Sequence, residues 1–467
     1  MPVCNCQPAG DRIGTDWQIG KLADWLSAVA GPHVFHVSVP GLIPGAIPGS
    51  IVARSHFQAV HLMKLNPEYT LFDGNMFVQM RGLLADVSAP ASLDMLDLSI
   101  GEPQVTGGAL LASSITRHND AWQYYPKAAG HPVFTAAIDR YIARRWPSAG
   151  GLADLDRQML PVPGTREPLG LMGGLVRGTK DDAVALVTNP FYHAWRAGAL
   201  ASGAAIQYMN STPENGFVPD LGSLPAATLD RTTIAYLCSP TNPQGEVMTL
   251  DQIKSAIRLA RAHDFLLVMD ECYSDIWRGT PPVGALDAAA SLHSEEGDQN
   301  ADPLRNLVVL NSLSKRSSAA GLRAGFIIGD ASVIALYAKV VANTGSLVPT
   351  PLLFAAADLY DDDDHVAAIR AHYDHSFDLA RRHLGIEAPQ GGFFLWLRVG
   401  DDQAFVRRLM QEQAVRAMPG SYMAEISDGV NPGAGYVRLA LVQDHQRTEE
   451  SLQRVARVRD AAGQDGQ

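Results

Sequence analysis

The chain is short of cysteine, of positive charge and of long apolar runs. Its four cysteines, Cys4, Cys6, Cys238 and Cys272, make no disulfide framework for 467 residues, and none forms a C-x-x-C pair. A reducing cytoplasmic compartment is expected. Near the N-terminus no basic segment leads into an unbroken apolar core, because prolines interrupt HVSVPGLIPGAIPGSIV, and no other run is long enough to span a bilayer. Lys and Arg number 37 against 49 Asp and Glu, a formal charge of -12 that argues against a broad nucleic-acid-binding face and leaves room only for local basic pockets. There is no internal repeat. A Walker A loop is absent too: GGLVRGTK at 173–180 runs Gly178-Thr179-Lys180 where Gly-Lys-Ser/Thr is needed. The acidic run DDDDH at 361–365 precedes a helical pattern and reads as a solvated helix start rather than a metal site; no metal is expected.

What the chain does have is a large apolar content, 46 %, enough for a sizeable core and two domains. Residues 1–62 are rich in Gly and Pro and lack a helical or strand period, which predicts a loosely structured extension with Met63 as a candidate start. From Met63 a turn-like opening leads into an amphipathic helix, and residues 63–114 are expected to join the smaller domain. Between 115 and 345, apolar runs alternate with helical segments such as TLDQIKSAIRLARAHD. The runs are AVALV (183–187), TIAYL (233–237), FLLVMD (265–270), LVVLN (307–311) and GFIIG (325–329). This alternation predicts a large α/β domain whose mainly parallel sheet is covered on both faces, with ligands beyond the carboxyl ends of the strands. Residues 346–467 are mostly helical and then turn to GGFFLWLRV and YVRLALV, which predicts a smaller α+β domain.

Unusual residues fall at those strand ends. FLLVMD closes on Asp270 and runs on to Tyr273; TIAYL leads into CSPTNPQG with Asn242; AVALV leads into TNPFYHAW with Tyr192. LVVLN leads into SLSK with Lys315, and Arg323 follows eight positions on. Each has a plain alternative: a solvated lysine in a flexible turn, a strand-end carboxylate, a turn asparagine before proline, a core aromatic. Jointly they describe a site for a cationic heteroaromatic ring with a phosphate arm. An aromatic stacks on such a ring, a carboxylate keeps its nitrogen protonated, and phenol and amide groups hold a ring oxygen. A lysine condenses with its aldehyde, while an arginine and backbone N–H groups hold the phosphate. PVPGTREPLG adds the cradle, with Gly164, Thr165 and Arg166 before a helical segment.

From about Asn66 to Val455 the chain resembles the class I/II aminotransferases, pyridoxal-phosphate enzymes of transferase fold type I. The resemblance rests on the SxSK lysine with its later arginine, the NPxG asparagine, the D-x-x-Y pair and the late Y-V-R-L. It implies that Lys315 forms a Schiff base with pyridoxal 5'-phosphate, that Asp270 pairs with the pyridine nitrogen, and that Tyr273 and Asn242 bond the ring hydroxyl oxygen. Tyr192 then takes the stacking position, and Gly164, Thr165, Arg166, Ser312 and Arg323 the phosphate positions. Gly101, Asn242 and Arg438 face the substrate, with Arg438 on its α-carboxylate. Within the family, DLSIGEPQ, YYPKAAGHPVF, DECYSDIW, MPGSYMA and NPGAGYVRLALV are similar to succinyldiaminopimelate aminotransferases. That likeness implies N-succinyl-LL-2,6-diaminopimelate as donor, 2-oxoglutarate as acceptor, and a homodimer in which Tyr125 reaches the neighbouring subunit's phosphate. Other class I donors (aspartate, aromatic, acetylornithine) and a C–S β-lyase use the same residues; a non-enzymatic regulator would need a helix-turn-helix segment that the extension lacks. Arg316, beside Lys315, is a candidate for a remote substrate carboxylate or else a solvated side chain. The stretch 341–360 departs from the subfamily's texture on the expected substrate side.

Overall fold

The computed structural model describes residues 66–464 apart from 73, 106, 107 and 299. The expected extension, 1–62, lies outside the described residues. In chain order the strands are β1 (Leu96–Asp97), β2 (Met159–Val162), β3 (Val184–Asn189), β4 (Ala205–Asn210), β5 (Thr232–Cys238) and β6 (Leu266–Asp270). They continue with β7 (Leu307–Ser312), β8 (Gly325–Gly329), β9 (Phe394–Arg398), β10 (Val415–Arg416), β11 (Met418–Pro419) and β12 (Tyr436–Ala440). Seven of them form one mixed sheet in the order β2-β8-β7-β6-β5-β3-β4, with β8 antiparallel to both neighbours and every other pair parallel.

The five apolar runs become β3 and β5–β8, all fully buried. Because successive side chains alternate across a strand, each run supplies two cores. Leu186, Leu237, Leu267, Met269 and Val309 pack in one with the helices Pro132–Arg145, Leu250–Ala262 and Ala285–Glu296. Val187, Tyr236, Val268 and Leu310 pack in the other with Leu169, Met172 and Trp195. The Leu250–Ala262 helix shows how local sequence enforces this. Thr249 and Gln252 form a reciprocal capping box at its start, and Ile253, Ala256, Ile257 and Ala260 bury one stripe at three- and four-residue spacing. Truncating Ile257 to alanine would cost roughly 2–5 kcal/mol.

A second sheet, β11-β12-β9, is antiparallel, with Arg438 on β12 opposite Trp396 on β9. Its core joins Leu395, Leu397, Val437 and Leu439 to Met80, Leu84, Phe377, Val406 and Leu452, so residues from both ends of the described chain share it. The parallel β1–β10 pair adds a backbone tie between the same two regions.

The acidic run opens the Asp364–Leu384 helix as expected, with Asp361, Asp363 and Asp364 exposed, and it also pairs with arginines of other elements. Asp361 takes both ends of the Arg140 guanidinium at 2.6 and 2.9 Å, Asp363 takes Arg144 at 3.0 Å and Arg316 at 2.8 Å, and Asp362 bonds His365 at 2.8 Å. Arg140 and Arg144 of one helix and Arg316 from far along the chain are gathered there, and the Asp364–Leu384 helix begins inside the cluster.

Candidate active site

The carboxyl ends of β3, β5, β6 and β7 open on a cavity of about 440 Å³, with β12 and residues 100–102 across from them. Asp270, the last residue of β6, lies at its floor and is 5 % exposed. Trp195 Nε1 donates to its Oδ2 at 3.1 Å and the Cys272 N–H to its Oδ1 at 3.3 Å. Burial pushes the carboxyl up, and these two partners oppose the push. A carboxylate in such a place is satisfied by a cation above it.

Lys315 follows β7 on a single helical turn, Leu313–Arg316, that Ser312 caps through the Ser314 N–H at 3.1 Å. Its Nζ donates to the Gly101 carbonyl at 2.6 Å and lies 5.5 Å from the Phe393 ring centre. Burial lowers the amine to about 8, so a much larger share of it is unprotonated near neutrality than for an ordinary lysine. Gly101 itself packs against Phe394, with no room for a side chain.

Gly164 turns the chain at φ 76°, and Thr165 begins the Arg166–Leu175 helix, so that the helix's N-terminal end, Thr165 and Arg166, lines the cavity. A Cβ on Gly164 would collide with the Arg323 guanidinium, which donates to Pro163 O at 2.8 Å and Ala320 O at 2.9 Å. Thr165 Oγ1 lies 3.0 Å from Cys272 Sγ, and Arg166 Nε donates to the Tyr192 hydroxyl at 3.0 Å. Tyr192 and Tyr273 both line the cavity, and burial raises both phenols.

Arg438 is 4 % exposed. It donates to Asn242 Oδ1 at 3.3 Å and Ser99 O at 2.9 Å and lies over the Phe394 ring at 4.4 Å, while its Nε has no partner. Burial lowers it to about 10. No carboxylate of the chain pairs with it among the described residues.

Of the residues expected from sequence, Gly101, Thr165, Arg166, Tyr192, Asn242, Asp270, Tyr273, Lys315, Arg323 and Arg438 share this one cavity, with Gly164 behind Arg323. Ser312 does not line it. Its hydroxyl is used in capping and bonds Ser314 Oγ at 3.0 Å, so Ser314 presents the wall hydroxyl. Tyr125 is also off the cavity of its own chain, at 97 % exposed. Arg316 must be corrected: it is 1 % exposed, donates to Leu359 O at 2.6 Å and Asp363 at 2.8 Å, and lies 3.4 Å from Asp275, so it cannot meet a substrate carboxylate. The stretch 341–360 lines none of the cavity either; it packs through Leu353, Ala356, Leu359 and Tyr360 into the core. Sequence reasoning passed over Trp195, His193, Cys272 and Ser314, although each lies within three positions of a residue it singled out.

A family model for class I and II aminotransferases matches residues 94–455. The chain belongs to that family. It is 27 % identical over 412 residues to the LL-diaminopimelate aminotransferase of Dehalococcoides mccartyi, covering 86 % of this chain and 100 % of that one. It is 28 % identical over 366 residues to the 4-dedimethylamino-4-oxo-anhydrotetracycline transaminase of Streptomyces rimosus, covering 77 % and 93 %. A crystal structure of an aminotransferase from Neisseria meningitidis superposes with a TM-score of 0.77 at 32 % identity, covering 84 % and 99 %.

Class I and II aminotransferases depend on pyridoxal phosphate, and the residues of this chain fit that group. Asp270 is a buried carboxylate short of a cation, Gly164 leaves space that a side chain would fill beside Arg323, and Lys315 is an amine already biased toward its neutral form. Lys315, Arg166, Arg323 and Arg438 outnumber the carboxylates on the wall, Glu102 and Asp270, which suits a phosphate and a carboxylate as ligands.

Proposed function

We propose that this aminotransferase moves the α-amino group of N-succinyl-LL-2,6-diaminopimelate to 2-oxoglutarate. The observation that carries the reading is Arg438, a buried guanidinium with a partnerless Nε in the same cavity as Lys315. It makes a ready site for the α-carboxylate of an amino acid. The pieces of sequence similar to succinyldiaminopimelate aminotransferases support the donor, and the name of the D. mccartyi relative puts the unacylated LL-diaminopimelate beside it as the second reading.

Bound in the cavity, pyridoxal phosphate supplies an aldehyde that takes up amines and a ring that withdraws electrons from the bonds at the substrate Cα. The protein's groups do the rest. Thr165, Arg166, Ser314, Arg323 and the N-terminus of the Arg166–Leu175 helix would hold the phosphate, Tyr192 would stack on the ring, and Tyr273 and Asn242 would bond its hydroxyl oxygen. Asp270 keeps the ring nitrogen charged, in a dry position where that charge interacts strongly. Arg438 would fix the α-carboxylate and so the direction of the Cα–H bond, an orientation effect. The Lys315 amine, at the cavity wall and lowered by burial, would take the proton from the substrate Cα as general base and give it back as general acid. We also infer a cytoplasmic homodimer, with Tyr125 extended toward the neighbouring subunit's phosphate; its 97 % exposure supports this. The divisions at about residues 63, 115 and 346 remain our proposal for the domains.

The test is kcat/KM with 2-oxoglutarate as acceptor for five donors: the succinylated diaminopimelate, LL-diaminopimelate, aspartate, an aromatic amino acid and N-acetylornithine. A preference for the first supports the proposal. Preference for LL-diaminopimelate replaces it with the second reading, and preference for any other removes the diaminopimelate assignment.

A further inference from the structure

His193 is the first residue of the His193–Ala201 helix and lines the cavity next to Tyr192, whose ring centre is 4.3 Å from its own. Its Nδ1 is shut off from solvent and has no hydrogen-bond partner. No other described group uses the ring as donor or acceptor, which leaves Nε2 as the atom that the cavity reaches. Three guanidiniums, those of Arg166, Arg196 and Arg438, act on the ring, and burial together with their charge lowers it to about 4. A neutral imidazole carries one proton. With Nδ1 enclosed and partnerless, that proton belongs on Nε2, because an orphaned buried N–H is the rarer and costlier arrangement.

We propose that His193 is a specificity-determining residue, whose Nε2–H donates to the side-chain carboxylate of the amino or oxo acid that Arg438 holds by its α-carboxylate. The reasoning is electrostatic as well as geometric. The position lies in the field of three cations, so an anion is drawn to it and a side-chain ammonium is repelled. A single N–H donor then fixes the anion's direction, and a ligand that lacks the carboxylate leaves the donor without a partner. Donor and acceptor occupy the same cavity in turn, so the contact acts on both halves of the reaction. The inference rests on the assignment of Arg438 made above, and it narrows the substrates to dicarboxylic ones.

Inert ligands test it without reference to any donor. The probes are glutarate and butyrate, equal chains that differ by one carboxylate, titrated into the pyridoxal-phosphate holoenzyme by calorimetry. His193→Phe should weaken glutarate by about tenfold to a hundredfold and leave butyrate within about twofold, the worth of a hydrogen bond to a charged group. His193→Gln, which keeps a neutral N–H donor, should restore at least part of the glutarate preference. Equal losses for both ligands, or no loss for either, overturn the proposal, as does a His193→Gln enzyme no better than His193→Phe. Arg438→Ala is the control for the underlying reading: it should weaken both ligands together. Unchanged butyrate binding there would remove the Arg438 assignment, whereas the glutarate-to-butyrate ratio in the His193 variants judges His193 alone.

Discussion

Replacing Lys315 by methionine in the cofactor-free chain should stabilise it at neutral pH and remove a rise in stability toward alkaline pH. The amine is lowered from 10.5 to about 8, chiefly by burial. Below pH 8 the folded and unfolded chains both hold the proton, and folding must take the charge out of water. Between about 8 and 10.5 the unfolded chain binds a proton that the folded chain does not, so stability rises with pH; above that interval both are neutral and the gain is complete. An interval of roughly 2.5 pH units corresponds to about 3 kcal/mol at most. The side chain borders the cavity, where water takes part of the penalty, so the observed rise falls below this bound. The assay is denaturant unfolding of the cofactor-stripped wild type and Lys315→Met from pH 7 to 10.5. The difference between them should shrink steadily across the upper part of that range. Parallel curves would refute a buried, destabilised ammonium. At pH 7.5 a group titrating near 8 is about one-quarter neutral, against about one part in a thousand for an ordinary lysine. The same variant should therefore lose transamination and the visible absorption of bound cofactor, and a variant that transaminates near the parent rate would sink the assignment.

Asp270→Ala should lower kcat by roughly two decades or more while retaining much of the cofactor, because the charge counts most when negative charge develops at Cα; normal turnover per bound cofactor would contradict this. Gly164→Ala should keep the fold but raise the cofactor dissociation constant about tenfold or more. A Cβ there both strains the φ of 76° and displaces Arg323, and unchanged affinity would show that Arg323 does not hold the phosphate. A chain beginning at Met63 should fold and bind pyridoxal phosphate, since residues 1–62 offer too few periodic apolar positions to supply core. An insoluble or cofactor-free product would make that segment structural.

The large sheet was legible where a strand is an unbroken apolar run closed by a polar residue, as in β5, β6 and β7. β2 escaped because Pro161 interrupts four residues, and β4 because AIQYMN is a half-exposed edge strand with no contiguous apolar block. At the site, Asp270 was legible because it ends a strand and Lys315 because it follows one by three residues. Arg316 was misjudged for a reason that only three dimensions supply: one step along the helical turn rotates a side chain by about 100°, away from Lys315 and toward Asp275 and Asp363. The same turn geometry hid Trp195, which lies three positions after Tyr192 and so returns to the cavity side to hold Asp270. Ser314 was hidden by its neighbour, since SxSK offers two hydroxyls and nothing in the sequence says which one the cap consumes.

The chemistry and the choice of donor are supported differently. The loop that carries Asn242 is held by backbone contacts: the Gly391 N–H bonds Gly245 O at 2.8 Å, and a Cβ on Gly391 would collide with Pro240. The same turn continues through Gly392, whose carbonyl takes Arg278 at 2.7 Å, into β9, which pairs with β12 and so with Arg438. Arg438 in turn reaches Ser99 O, and the Ala440 N–H bonds Leu98 O at 2.8 Å. Asn242, Arg438 and the Gly101 segment are thus tied by main-chain geometry, which varies little as side chains change, and this is the precision that orientation at Cα requires. Met76, Phe77, Ile100 and Glu102 line the same cavity outside this frame of paired strands, with Ile100 44 % exposed. Substitutions at these four positions should therefore change the length and charge of the donor accepted and leave the frame around Lys315 in place; kcat/KM across donors that differ only beyond the α-carbon checks this, and unchanged preferences would refute it.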